Sequence, residues 1–185
     1  MISILIPTFN TDVQRLIAAL VNEANRLQLN IEIRVYDDGS TAAFKSLNKA
    51  IEQYKQVTYQ EMPQNLGRAK IRNKLAQDAL YENLLFLDGD TLPVNIDFLS
   101  RYIPHLEKPV IYGGLLYEAI PPSKAHYLRW YYGVKRECVV AEQRNEHPHA
   151  AFRTCNFLIN KELLLSIKFE ERINGYGHED TLFGI

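Results

Sequence analysis

Leu84-Leu85-Phe86-Leu87-Asp88-Gly89-Asp90 decides how this chain is read. Four apolar residues run directly into two carboxylates with a glycine between them. A run that short and apolar reads as a strand buried on both faces of a sheet. The carboxylates then stand where the strand leaves the sheet, at its C-terminal end, which is where ligands bind in open α/β sheets. Two anions crowded at one edge repel each other unless a cation lies between them. Mg²⁺ or Mn²⁺ suits that place, because both take oxygen ligands and bind together with a substrate's phosphates. The competing reading is a surface turn, since Asp-Gly-Asp is ordinary turn composition.

Working outward, the first half alternates strand and helix. Ile2 to Ile6 reads as a buried strand closed by Pro7. Thr11 and Gln14 resemble a capping box, and Val13, Leu16, Ile17, Leu20, Val21, Ala24 and Leu27 recur at helical spacing. Ile31 to Tyr36 is a second strand, and Phe44, Leu47, Ile51 and Tyr54 mark a second helix. Val57 to Glu61 is a third strand, and a helix follows the Asn65-Leu66-Gly67 turn through about Leu80. Strands separated by helices of this length argue for βαβ units and a parallel sheet. The second half is less regular. A short helix is expected around Phe98, Tyr102 and Ile103, a strand at Val110 to Gly113, a tyrosine-rich helix at Lys124 to Val134, a strand at Phe157 to Ile159 and a helix at Glu162 to Ile167. Arg136 to Arg153 reads as a polar excursion over the surface. A last helix opens near His178-Glu179-Asp180.

The chain of 185 residues is long enough for one well-buried domain and short for two, and apolar residues make up 46% of it. Its 21 lysines and arginines nearly balance 22 aspartates and glutamates, so it lacks the basic field that nucleic-acid binding needs. Cys138 and Cys155 are too few for a zinc motif or a disulfide framework and fit a reducing compartment. Met1 to Pro7 does not have the form of a signal peptide, and no stretch is long and apolar enough to span a membrane. The ending, at Phe183-Gly184-Ile185 within an expected helix, leads to the expectation of a truncated piece of a longer protein.

Four places carry chemistry. Asp37-Asp38-Gly39-Ser40 ends the second strand, where an acidic side chain can accept hydrogen bonds from a nucleotide's base or ribose, or can simply cap the next helix. The loop Pro7-Thr8-Phe9-Asn10 lies beside it if the first two strands pair, adding backbone and hydroxyl groups. Arg68, Lys70, Arg72 and Lys74 put four cations within seven residues at a helix start, where the dipole disfavours them unless an anionic ligand compensates. Helical geometry places Arg68 and Arg72 on one face and the lysines on another, and apolar Ala69, Ala76 and Leu80 near Arg72 select it for the functional face. Asp88-Gly89-Asp90 is the third place. The fourth is Gly175-Tyr176-Gly177-His178-Glu179-Asp180, where two carboxylates can supply a general base at the mouth of a pocket and His178 is a candidate metal ligand or acceptor contact. Tyr127 with Arg129-Trp130-Tyr131-Tyr132 offers an aromatic surface that either packs as an interface helix or receives a sugar ring.

The order of these motifs is more specific than any one of them. Pro-Thr-Phe-Asn after the first strand is followed by Asp-Asp-Gly-Ser-Thr after the second. Asn-x-Gly with Arg-Asn comes next, then Asp-x-Asp after an apolar strand and Gly-x-Gly-x-Glu-Asp near the end. From Ile2 to Gly184 this pattern resembles the family 2 glycosyltransferases. The resemblance implies an α/β fold of the GT-A type: a single domain over residues 1–185, with a Rossmann-like, mostly parallel central sheet flanked by helices. Its nucleotide-binding half would cover about 1–90 and its acceptor-binding half about 91–185. By the same resemblance Pro7, Thr8 and Asp38, with Asn10 in the same loop, hold base and ribose. Arg72 lies near the nucleotide, Asp88 and Asp90 hold a divalent metal on the diphosphate, and Asn156 lies near the sugar. Of the Glu-Asp pair, Asp180 is assigned as base and Glu179 as acceptor contact.

The implied activity is that of an inverting, metal-dependent hexosyltransferase of polysaccharide biosynthesis. It would move a sugar from a nucleotide-diphosphate sugar, a UDP-sugar above all, to a hydroxyl of a glycan or lipid-linked acceptor. The implied setting is the cytoplasm, with room for peripheral association at the inner face of the membrane. Two alternatives stand beside it. One is a non-catalytic nucleotide-sugar binding or scaffolding module of a larger polysaccharide-synthesis protein. The other is a nucleotidyltransferase, for which the loop after Ile6 lacks the usual glycine-rich basic sequence.

Overall fold

The computed structural model describes residues 1–173 and 179–185. The described residues form one six-stranded sheet in the order β3-β2-β1-β4-β6-β5. Strands β1 (Ile2–Thr8), β2 (Ile31–Asp37), β3 (Val57–Glu61) and β4 (Asn83–Leu87) run parallel. β6 (Asn156–Asn160) is antiparallel to both β4 and the edge strand β5 (Val110–Tyr112). The expected mostly parallel α/β sheet is therefore what the chain forms. The chain winds outward from β1 through β2 to β3, then crosses back to lay β4 on the other side of β1. That reversal makes the crevice between the C-terminal ends of β1 and β4 a topological switch point, where α/β sheets bind ligands.

β4 explains why the sheet centre is apolar on both sides. Leu84, Leu85 and Phe86 are fully buried and Leu87 nearly so. Alternate residues serve opposite faces. Leu85 and Leu87 join Ile4, Ile6, Ile33 and Val35 beneath α1 (Gln14–Arg26), while Leu84 and Phe86 join Leu5, Tyr36, Phe157 and Ile159 on the other face. The second face is covered by α3 (Arg68–Asp78) and α7 (Lys161–Ile167). Its centre is a group of aromatic rings: Phe86 stacks on Phe157 at 4.9 Å between centroids, and Phe169 stacks on Phe183 at 3.9 Å.

Several local expectations change. The Thr11 capping box does not form. Asp12 Oδ1 accepts from Gln14 N at 2.9 Å and Thr11 Oγ1 donates to Phe9 O, so the aspartate ends up organising this turn. The second helix is shorter than its apolar spacing suggests: α2 (Ala42–Asn48) passes into a 3₁₀ turn over Lys49–Gln53. Buried Asn48 explains the break, because its side chain leaves the helix to bond Val13 N and Thr11 O. The helix near Phe98 is two 3₁₀ turns, Leu99–Arg101 and Ile103–His105. The first is capped by buried Glu23 of α1, whose carboxylate accepts from Leu99 N and Ser100 N at 2.9 and 3.1 Å.

The tyrosine-rich helix is α4 (Tyr127–Arg136). The Arg136 to Arg153 excursion contains two short helices, α5 (Ala141–Glu146) and α6 (Pro148–Ala151). It docks on the sheet edge: Arg144 lies 4.7 Å over the Tyr112 ring and donates to Tyr112 O, and Phe152 is buried. α8 (Glu179–Phe183) closes the chain.

Phe157 holds the aromatic group together, with Phe86, Phe152, Phe169 and Phe183 all in ring contact. Phe157→Ala should lower the unfolding free energy by about 3–5 kcal/mol, read from urea denaturation followed by circular dichroism. A loss below about 1 kcal/mol would mean that this face of the sheet is not closely packed.

Candidate active site

The site begins with two loops braced against each other. β1 and β2 pair in register, Pro7 with Tyr36 and Thr8 with Asp37, which brings the loops that follow them side by side. Asn10, at φ 50°, donates its backbone N–H to Ser40 Oγ at 2.7 Å, and its side-chain oxygen accepts from Thr41 N at 2.9 Å. Asp37 is fully buried and turns inward, accepting from Ser40 N and from the Tyr59 hydroxyl.

Asp38 points at the next loop. Its two oxygens accept from Leu66 N at 2.6 Å and Gly67 N at 3.0 Å, while Asn65 Nδ2 bonds Asp38 O. Burial raises its pKa from the ordinary value; those two amide bonds oppose the rise and neighbouring Asp37 adds to it. Gly39 allows the approach. A Cβ there would come within 2.7 Å of Asn65 N, and its φ of +83° suits glycine. Asp38 thus shapes the turn that starts α3.

α3 carries the central cation. Arg72 is 2% exposed, and its guanidinium donates to Asp88 Oδ1 at 2.8 Å. The same group lies 4.0 Å from Glu179 Oε1 and over the Phe169 ring. One turn earlier, Arg68 Nε is 2.6 Å from Glu179 Oε1. The two arginines do share a face, as helical spacing requires. Between them they join the carboxylate at the end of β4 to the first residue of α8, which is 91 positions later in the chain (179 against 88).

Asp88 is pinned from both sides. Its N–H donates to Cys155 O, and its own carbonyl accepts from Thr91 N and Oγ1. Gly89 packs against β1: a Cβ at that position would meet Thr8 Oγ1 and Val13 at 3.1 Å. Asp90 retains exposed surface, yet the atoms around its carboxyl raise its pKa, the charge of Asp88 adds to the rise, and Arg68 opposes it. Two hard oxygen donors on one turn suit Mg²⁺ or Mn²⁺, with Asp88 Oδ1 already engaged by Arg72. Among the described residues no cluster of three or more metal-ligating side chains exists. His178, the sequence candidate for a third ligand, lies outside the described residues, as does the glycine loop before it.

Asn156 faces Leu87 across the β4–β6 ladder, one residue from Asp88. Both ends of its amide are bonded: the oxygen accepts from the Tyr102 hydroxyl at 2.6 Å and Nδ2 donates to Gly114 O. Asp180 is half-buried, and its Oδ1 accepts from Thr181 N. The structure therefore gathers Thr8, Arg72, Asp88 and Glu179 around the β1–β4 crevice. A polar pocket of about 220 Å³ adjoins them, lined by Asn65, Gly67, Arg68, Lys70 and Glu179. It would hold only part of a drug-sized ligand, for which pockets start near ~300 Å³. A groove of about 1400 Å³ runs from Asn73 and Glu171 along the β5 edge, past Tyr112, Phe152 and Phe183.

Sequence reasoning did not find the Arg68–Glu179 pair, nor the clamp made by buried Asn73, whose side chain bonds Phe169 N, Phe169 O and Glu171 Oε1. The first had a signal, the i,i+4 arginine spacing; the second had none beyond the Arg-Asn pair itself.

Residues 3–165 match the sequence profile of the family described as "Glycosyl transferase family 2". A comparison with curated proteins gave no match. Among solved structures, the chain resembles S. aureus TarS residues 1–349 in complex with UDP, with a TM-score of 0.67 and 18% identity over 99% of this chain and 53% of that one. It also resembles the same protein in complex with UDP-GlcNAc, with a TM-score of 0.62 and 19% identity over 99% and 52%. A third likeness is the mannosyltransferase PcManGT from Pyrobaculum calidifontis in complex with GDP-Man and Mn²⁺, with a TM-score of 0.62 and 21% identity over 98% and 50%. At these identities the likeness is one of fold, and the chain spans about half the length of the structures it matches.

Two predictions follow from the charges. Arg72→Met removes the buried partner of Asp88 and should cost about 3–5 kcal/mol in urea unfolding; no measurable change would mean that the pair is solvated. Burial pushes the Cys155 thiol up to about 12, with Asp88 contributing. Its reaction with a disulfide reagent in the native protein at pH 8 should run on the order of 1,000-fold slower than that of a free thiol.

Proposed function

The chain belongs to glycosyltransferase family 2, and from that membership we propose that it is the donor-binding and catalytic part of an inverting, metal-dependent glycosyltransferase. The reaction we assign moves a hexosyl group from a nucleotide-diphosphate sugar, with UDP as the first candidate, to a hydroxyl of a glycan or lipid-linked acceptor. The observation that carries this reading is Arg72, which holds Asp88 at the end of β4 and lies 4.0 Å from Glu179 at the start of α8. The two acidic motifs, remote in sequence, share one cation.

In this reading Thr8, Asn10 and the loop held by Asp38 receive base and ribose, with Pro7 and Asn156 framing the crevice. Asp90, with the second oxygen of Asp88, would hold Mn²⁺ or Mg²⁺. That ion supplies positive charge for the departing nucleoside diphosphate. Arg68 and Arg72 add fixed positive charge at the same place, and need no reorganisation when negative charge develops there. Asp180 takes the proton of the acceptor hydroxyl, and Glu179, held by the arginines, orients that hydroxyl. A carboxylate oxygen positioned at that hydroxyl can accept its proton as the hydroxyl attacks opposite the leaving group. Direct displacement inverts the anomeric carbon. No described helix is long and apolar enough to cross a membrane; the setting we assign is cytoplasmic, at the inner membrane face when the acceptor is lipid-linked.

The test is UDP release from several UDP-sugars with Mn²⁺, beside calorimetric binding of UDP. Asp180→Asn should lower release by roughly 10²–10⁴-fold and leave UDP affinity unchanged. Asp90→Asn should remove the Mn²⁺ dependence of UDP binding. Binding without turnover for every donor and acceptor would make the chain a scaffolding module, and absence of nucleotide binding would sink the reading altogether.

A further inference from the structure

Asn73 follows Arg72 and is equally buried, at 2% exposure. Its side chain does nothing for its own helix. Oδ1 accepts from Phe169 N at 2.9 Å, and Nδ2 donates to Phe169 O at 3.0 Å and to Glu171 Oε1 at 2.8 Å. One amide thus satisfies both backbone groups of a single residue 96 positions away, as a neighbouring strand would. Phe169 makes the closest ring contact with α8: it stacks on Phe183 at 3.9 Å and 13° between planes, while Phe152 and Phe157 meet Phe183 at 5.8 and 6.0 Å. The other face of the contact is Arg72, whose guanidinium lies 5.8 Å from the Phe169 ring.

We propose that Asn73 is a positioning residue for the Glu179-Asp180 pair. It fixes Phe169, Phe169 seats Phe183, and Phe183 sets the depth and direction of α8 relative to Asp88. Adjacent residues on one rigid helix then divide the work. Arg72 meets the carboxylates themselves, and Asn73 meets the backbone that supports α8. The inference rests on the reading above for what Glu179 and Asp180 do, but the anchoring itself does not.

The experiment separates the two. Asn73→Asp keeps the acceptor for Phe169 N, loses the donor and sets a carboxylate against Glu171. Adding Glu171→Gln returns a donor to that contact. Hydrogen exchange in the whole chain should quicken at least about tenfold in segments 168–173 and 179–185 of Asn73→Asp and of Asn73→Ala, with β1 to β4 unchanged. The Asn73→Asp, Glu171→Gln double variant should recover part of that protection, a coupling that two independent losses would not give. With Mn²⁺ and a UDP-sugar, kcat for UDP release should fall about 100-fold in Asn73→Asp, while UDP affinity stays within about threefold.

Unchanged exchange at 179–185 overturns the proposal, as does loss of protection across the whole sheet, which would make Asn73 a core residue without a specific target. A chain that binds no nucleotide would overturn the proposed function, and the exchange result would still decide the anchor.

Discussion

A buried guanidinium must be paired. Taking Arg72 out of water costs several kcal/mol unless carboxylates and hydrogen bonds compensate. Asp88 Oδ1 at 2.8 Å, Arg68 O at 3.3 Å and Glu179 at 4.0 Å provide that compensation. The requirement works in both directions. Glu179 is 4% exposed, and its carboxylate lies against Arg68 and Arg72, so the buried charges of the two sides match. The end of β4, the start of α3 and the start of α8 are therefore bound into one unit by a need to neutralise charge away from solvent.

The rest of the site supports that unit. Asp38 gives both carboxylate oxygens to the turn before α3, and so sets where Arg68 and Arg72 begin. Asn10, Ser40 and Thr41 tie the β1 loop to the β2 loop. Asn73 ties α3 to the support of α8. Each of these is a polar side chain bonded to backbone, an arrangement that gives direction as well as energy. The apolar sheet beneath supplies a rigid floor, because Phe86, Phe157, Phe169 and Phe183 fill the face on which α8 lies.

Much of this was legible in sequence, and the limits are instructive. The strand at Leu84 to Leu87 declared itself because burial on both faces demands an unbroken apolar run. Arg68 and Arg72 declared a shared face because helical periodicity is local. The Thr11 capping box failed because a nearer competitor, Asp12, bonds Gln14 N first. The Arg136 to Arg153 segment read as a polar surface excursion because its few anchors, Arg144 and Phe152, are too sparse to form a pattern, although they dock firmly on β5.

By itself the sequence determined the alternation of buried strands and amphipathic helices, the placing of carboxylates at strand ends, and the family. The first two follow from periodicity and composition, which are local properties, and the family follows from a resemblance carried by the order of the motifs. Only the tertiary structure decided which charges meet. Asp88 and Glu179 come to one arginine because α3 packs across β1, next to the end of β4, and α8 returns to meet it. Asp-Gly-Asp, alone, is a turn with two repelling charges. Joined to Arg72, it is one end of a charge network that reaches the last helix of the chain.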